Sequence, residues 1–336
     1  MSSRTRAIIT QSRPDWQVQQ AEAVTSPGEL ARLLGLDIAD LAGTRRAEEE
    51  FSLRVPGSFV ARMEPGNPHD PLLRQVMVSG EEMDSPARFG RDPLEESAAT
   101  PVPGILHKYP GRALLMVTGA CAVHCRYCFR RHFPYPEHTP APGRLEQALE
   151  WLAGREDIVE VILSGGDPLT VTDRRLRELV ERLAAIDHIR RLRIHSRSPV
   201  MIPERITPEL VDLLGDARWQ ATLVVHANHA RELVSPLDRG VAGLREAGVW
   251  TLNQAVLLAG VNDTLEAQQA LSLGLFEHGI LPYYLHQLDP VAGAAHFEVP
   301  DERARELHGQ LRATLPGYLV PTLVRETPGE SGKMQV

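Results

Sequence analysis

Apolar and polar positions divide the chain into two parts of different texture. From Ala113 onward, short apolar runs alternate with longer amphipathic stretches. The runs are "ALLMVTG", "IVEVILSGG", "RLRIHS", "WQATLVVHA", "VWTLNQAVLL" and "ILPYYLHQL". They are short and rich in β-branched or aromatic residues, which predicts buried strands. Between them, "RLEQALEWLAGR", "DRRLRELVERLAAI", "TPELVDLLG" and "LEAQQALSLGLFEHG" carry apolar residues at helical spacing. A further helix, "DERARELHGQLRATL", and a late strand, "YLVPTLVRE", follow. Strands that alternate with helices predict an α/β fold whose parallel sheet is covered by helices. Six such units predict a partial (β/α)6 TIM-like barrel, with a doubly wound open sheet as the alternative. Either fold places the chemistry at the C-terminal ends of the strands.

Before Ala113 the pattern is helical and irregular. "SPGELARLLGL" offers Ser26 as an N-cap, then Pro27, then apolar residues at helical spacing. "DSPARFGRDPLEESAATPVPG" is rich in Pro, Gly and acid and reads as a connector. The expected organisation is a helical N-terminal region (1–100), a barrel core (101–318) and a C-terminal strand with a tail (319–336).

Composition narrows the function. The formal net charge of −8 over 336 residues argues against a general nucleic-acid binder, which needs phosphate-neutralising Lys and Arg. No apolar run is long enough to span a bilayer, and "MSSRTRAIITQSRPDW" has no stretch of signal-peptide type. The expected location is the cytoplasm, and no membrane partner is expected.

The three cysteines, Cys121, Cys125 and Cys128, all fall in the loop after the first predicted barrel strand. Clustered thiols in a reducing compartment point to metal binding rather than disulfides. A flexible loop with C-x3-C-x2-C spacing can wrap three corners of an iron–sulfur cluster and leave the fourth iron open. The alternatives are a structural zinc site completed by His124, and three ordinary buried cysteines. Adjacent residues such as His124 and Cys125 rarely both reach one tetrahedral ion, and closed zinc sites usually draw on two separate knuckles.

With "FRR" after the last cysteine, the chain resembles the radical S-adenosylmethionine (SAM) enzymes. "HKYPGRALLMVTGACAVHCRYCFRR", "SGGDPL", "HANH", "NQAVLLAGVNDT" and "YYLHQLDPVAGAAHF" resemble the lysine 2,3-aminomutases, from about Asp92 to Lys333. The N-terminal region is most similar to the branch that makes β-lysine for modification of elongation factor P. The resemblance implies a [4Fe–4S] cluster on the three cysteines, SAM on the open iron, and pyridoxal phosphate (PLP) as a Schiff base on Lys333. It implies SAM contacts from Ser164, Gly165, Gly166 and Asp167, although a Gly-rich β/α turn reads the same way. It also implies a cofactor and substrate cavity lined by His195, Arg197, His226, Asn228, Asn253 and Gln254, and a PLP phosphate held by Tyr109 and Arg112. Arg112 could instead be a solvated loop residue, and the segment around Lys333 a frayed polar tail. The family's Gly-rich segment before the PLP lysine is here interrupted by Glu330 and Ser331.

For the substrate, the resemblance implies Arg130 on the carboxylate and Asp289 with Glu326 on the distal ammonium of lysine. Glu326 stands where the family has Asp. Two buried carboxylates suit an otherwise costly buried ammonium. The implied reaction is a 2,3-amino shift giving β-lysine. It needs an external electron donor such as flavodoxin or ferredoxin, and it links functionally to elongation factor P and its β-lysine ligase. An aminomutase for glutamate would need a cation where Asp289 or Glu326 stands. A zinc-stabilised binding module for a translation factor or RNA would need a basic or aromatic face.

Overall fold

The structure is a computed structural model that describes residues 15–37, 44–138 and 142–336. Its centre is one nine-stranded sheet whose spatial order follows the chain. The strands are β1 (Ile105–Tyr109), β2 (Arg112–Thr118), β3 (Glu160–Gly165), β4 (Arg191–Ser196), β5 (Gln220–Val225), β6 (Trp250–Val256), β7 (Leu281–His286), β8 (Thr322–Arg325) and β9 (Met334–Gln335). From β2 to β8 every neighbouring pair is parallel. Helices Pro142–Ala153, Asp173–Ala184, Pro208–Leu214, Pro236–Glu246, Leu265–Glu277 and Asp301–Thr314 supply the six crossovers. Sequential parallel order with a helix at each crossover is the arrangement of a partial barrel. Three of these helices start at a Thr cap: Thr172, Thr207 and Thr264 accept from the backbone N–H of Arg175, Leu210 and Ala267. Such side chains satisfy orphan N–H groups of a first turn.

The sheet has two antiparallel edges that the apolar pattern did not reveal. β1 turns back through Pro110–Gly111, with Gly111 at φ +75, and pairs Tyr109 with Arg112. β9 folds onto β8, pairing Arg325 with Met334. The segment "TPGESG" is therefore the bend of a hairpin rather than a frayed end, and Lys333 is carried back to the C-terminal side of the sheet.

One continuous apolar core runs from Trp16, Leu30 and Phe59 through Leu115, Leu163 and Leu223 to Leu323. The N-terminal region also grips the cysteine loop with polar bonds. The backbone N–H groups of His124 and Arg126 donate to the carbonyls of Arg54 and Gln75 at 2.9 Å each. Glu82 accepts from Arg126 (2.9 and 2.6 Å) and from Arg131 (2.6 Å), and all three side chains are almost wholly buried.

Removing the one carboxylate between two buried guanidiniums leaves uncompensated charge. Glu82→Ala is expected to destabilise the metal-free protein by about 3–5 kcal/mol. Denaturant unfolding measures this, and Glu178→Ala, whose ion pair with Arg174 lies at the surface, should stay within about 0.5 kcal/mol of the parent.

Candidate active site

A cavity of about 480 Å³ is lined by the loops and residues at the C-terminal ends of the strands. Cys121, Cys125 and Cys128 line it, and so do Tyr109, Arg112, Arg130, Ser164, Gly165, Gly166, Asp167, His195, Gln254, Asp289, Glu326 and Lys333. Arg197 and His226 also face it. Asn228 and Asn253 do not. Asn228 is fully buried and donates to Gln75 Oε1 (2.9 Å) and Tyr127 OH (2.7 Å). Asn253 is buried against the Ala227 backbone, accepting from its N–H at 2.8 Å and donating to its carbonyl at 3.0 Å. Both amides brace the wall rather than line it.

Burial sets the state of the bare thiols. It pushes Cys121 well up and Cys128 up to about 12, with Cys125 adding to both shifts. Buried thiolates at this spacing need a compensating charge, such as bound iron. Among the described residues no three His, Cys, Asp or Glu side chains form a ready-made single-ion site. His124 turns its Nδ1 to the Ser52 carbonyl (2.8 Å) and stacks on Phe51 (centroids 5.1 Å apart). With His124 Nδ1 engaged by Ser52, the donors that the cysteine loop itself offers are three thiols. Soft thiolates suit an iron–sulfur cluster, and three of them leave one corner open.

The glycines of "SGGD" have a packing reason that the motif did not reveal. Gly165 sits at φ +119, and a Cβ there would lie 2.5 Å from the Thr118 carbonyl oxygen. A Cβ on Gly166 would lie 2.4 Å from the Ala120 carbonyl oxygen. Only glycine lets the end of β3 lie directly against the cysteine loop. Two backbone bonds follow, from Gly166 N–H to Thr118 O (2.7 Å) and from Asp167 N–H to Ala120 O (2.8 Å). The Asp167 carboxylate accepts from Ser196 Oγ (2.6 Å) and from the backbone N–H groups of Leu169, Arg197 and Ser198 (3.0, 2.9 and 2.8 Å). It thereby ties the end of β3 to the end of β4.

A chain of alternating charges crosses the cavity wall. Arg130 donates to both oxygens of Glu96 (2.7 and 2.8 Å), and its Nη1 reaches Ser164 Oγ and the Gly165 carbonyl (3.2 Å each). Lys108 lies 3.1 Å from Glu96 and 2.8 Å from Glu326 Oε1. Glu326 Oε2 then accepts from Lys333 at 2.7 Å. Glu96 and Lys108 escaped sequence reading. Glu96 was one acid among several in a connector, and Lys108 one cation beside a turn.

Burial alone would raise both carboxyls of this chain, but their cations more than offset it. Glu96 is held low by Arg130 and Lys108, and Glu326 by Lys333 and Lys108. Asp289 differs: burial and the neighbouring Glu326 push its carboxyl up to about 7. His195 and His286 fall well below the ordinary imidazole value, chiefly through burial, so neither adds a cation at neutral pH. Arg112 lies over the Tyr109 ring (4.6 Å), whose phenol burial pushes up, and Lys333 lies near the Tyr284 ring (5.8 Å).

Comparison with known proteins gives this geometry a family. The Radical SAM superfamily profile matches residues 115–267. The chain is 52% identical over 328 residues to L-lysine 2,3-aminomutase of Escherichia coli K12, covering 97% of this chain and 95% of that protein. It is 45% identical over 325 residues to the protein of the same name from Haemophilus influenzae, with coverage of 97% and 96%. The L-lysine 2,3-aminomutase of Clostridium subterminale is 34% identical over 325 residues, covering 96% of this chain and 77% of that one. Among the described residues no helix is long and apolar enough to cross a membrane. The family implies a [4Fe–4S] cluster, SAM and PLP, and the three thiols and the lysine placed beside them in one cavity fit those groups. The chain belongs to the lysine 2,3-aminomutase family of radical SAM enzymes and is an isomerase.

Proposed function

We propose that the protein converts lysine to β-lysine by a PLP-dependent 2,3-amino shift, and that the product serves the modification of elongation factor P. The observation that carries the substrate assignment is the charge order of the cavity wall. Arg130 stands at one end of the ion chain, and Glu326 with Lys333 at the other, with Glu96 and Lys108 between them. Arg130 lines the cavity at one end, and at the other Asp289 is crowded by Glu326, so a substrate with a carboxylate at one end and an ammonium at the other suits the two ends. Arg130 and Lys108 already hold acids of the wall, so the preference rests on the acid pair Glu326 and Asp289 at the far end. This favours a diamino acid over glutamate. The link to elongation factor P rests on the likeness of the N-terminal region to the branch that serves it.

Each residue then has a task. Cys121, Cys125 and Cys128 hold the cluster, and Ser164, Gly165, Gly166, His195 and Gln254 surround SAM. Asp167 keeps the β3 and β4 ends in place around it. Lys333 holds PLP, with Tyr109 and Arg112 at the phosphate. When bound, cluster and SAM supply a hydrogen-abstracting radical, and PLP carries the migrating nitrogen. Arg130 and the acid pair fix both ends of lysine, so that one carbon faces the radical source and quenching groups are excluded. A cluster held there would need an external one-electron donor of the flavodoxin or ferredoxin kind.

Glu326 has a further part in lysine binding. In the structure its two oxygens hold two ammonium groups, Lys108 and Lys333. Lys108 and Lys333 keep Glu326 ionised, and an arriving distal ammonium would share its oxygens with them, with Asp289 beside it.

Anaerobically reconstituted protein should contain about four iron and four sulfide. Given lysine, SAM, PLP and reductant, it should yield β-lysine on chiral separation of the products. Turnover of glutamate instead of lysine would overturn the assignment. Lys333→Ala should keep the iron and lose the visible absorbance of bound PLP.

A pH experiment tests Asp289. Burial and Glu326 push its carboxyl up to about 7 in the empty site, and it offsets an ammonium's charge only when ionised. KM for lysine should therefore rise as pH falls below about 7, approaching about tenfold per unit. Asp289→Asn should raise KM at high pH and flatten this acid limb. An unchanged limb in that variant would assign the titration to another group.

A further inference from the structure

The cysteine loop receives a charged hydrogen bond that the proposed reaction does not use. Arg197, at the end of β4, donates through Nη1 to Cys125 Sγ at 2.7 Å. Its other terminal nitrogen, Nη2, donates to Gln75 Oε1 (2.6 Å) and Glu232 Oε2 (3.1 Å). The side chain is 5% exposed. Its backbone N–H is pinned to the Asp167 carboxylate at 2.9 Å. The rings of Tyr127 and Phe59 lie 5.5 and 5.8 Å from the guanidinium carbon.

This guanidinium is aimed by its surroundings. Gln75 Oε1 also accepts from Asn228 Nδ2 (2.9 Å), and Gln75 Nε2 donates to Glu232 Oε1 (2.9 Å). Glu232 is fully buried and further accepts from the N–H groups of Asn228 (3.0 Å) and His229 (3.1 Å). The N-terminal region and β5 thus fix one side of the guanidinium and leave Nη1 to the sulfur. Among the described residues no other Arg or Lys side chain donates to a cysteine sulfur; the Tyr127 phenol also meets Cys125, and Cys128 takes the Arg130 backbone N–H.

We propose that Arg197 is a positioning residue that raises the reduction potential of the cluster through its hydrogen bond to Cys125. Charge-assisted bonds to an anionic acceptor are stronger than neutral ones. Hydrogen bonds to cluster sulfurs set the potential, because they stabilise the more negative reduced form more than the oxidised form. The effect falls on the Cys125 corner and not evenly on the three ligands. It makes electron uptake from the external donor easier before SAM is cleaved. This inference rests on reading the three cysteines as cluster ligands.

The test uses full-length parent, Arg197→Gln and Arg197→Lys, reconstituted anaerobically without SAM, PLP or lysine. Iron and sulfide are assayed, melting is recorded, and the midpoint potential is read by a redox titration followed by electron paramagnetic resonance. The expected result is a parental iron content with a lower potential in Arg197→Gln, and a smaller drop in Arg197→Lys, which keeps the charge but loses the planar fork. A fully loaded Arg197→Gln at the parent's potential overturns the proposal. Variants that melt like the parent but take up no iron overturn it too, since Arg197 would then build the site rather than tune it. If Arg197→Gln does not fold, Arg197→Lys decides by the same readings. Failure of the parent to bind iron would sink the cluster reading itself, which is a separate outcome.

Discussion

A buried carboxylate, Glu96, and a largely buried one, Glu326, hold three cations in one wall of the cavity, and much of the architecture follows from them. A buried charge is tolerated only when it is paired and hydrogen-bonded. Here each acid sits between two cations, and Lys108 is shared by both acids. The five side chains come from the acidic connector, β1, the cysteine loop and the β8–β9 hairpin. None of these segments could present its charge alone. The two antiparallel edges of the sheet thereby acquire a purpose. The β1 hairpin delivers Lys108 and Tyr109, and the β9 return delivers Lys333.

A second set of contacts fixes where the cysteines stand relative to that wall. Gly165 and Gly166 let the end of β3 touch the cysteine loop, and Asp167 carries the restraint on to β4. From the opposite side, Glu82 holds the loop through Arg126 and Arg131. The loop is thus clamped between barrel and N-terminal region. With SAM held at an open iron, the radical it would supply has to meet one chosen carbon of the substrate. Misplacement of about 1 Å can slow such a step by about a hundredfold.

The strands and the cysteine cluster were legible in the sequence because each is a local signal, whereas Lys333 was singled out only through the family resemblance. Apolar runs of strand length mark β2 to β8. The C-x3-C-x2-C spacing lies within eight residues. What stayed hidden depends on pairing across long separations. Glu96 meets Arg130 over 34 positions, and Lys108 meets Glu326 over 218. No local pattern distinguishes Glu96 from its neighbour Glu95, or Gln75 from any amide on a helix. β1 and β9 were hidden because they are short edge strands with polar residues on one side. Asn228 and Asn253 misled because both face the backbone of the wall, although their strand ends open on the cavity. His124 was weighed as a metal ligand on its position between two cysteines, yet its ring serves the contact with the N-terminal region.

Glu326 gains meaning from the same ion chain. One oxygen is anchored on Lys108 and the other on Lys333, so the carboxylate need not move when one of the two ammonium groups is withdrawn. Asp289 responds in the complementary sense. Burial and Glu326 keep it close to neutrality in the empty site, and an arriving cation favours its ionised form. The pair therefore supplies one permanent negative charge and one that develops on binding. This limits the unpaired charge in the empty cavity and makes a cationic side-chain terminus the natural occupant of this end.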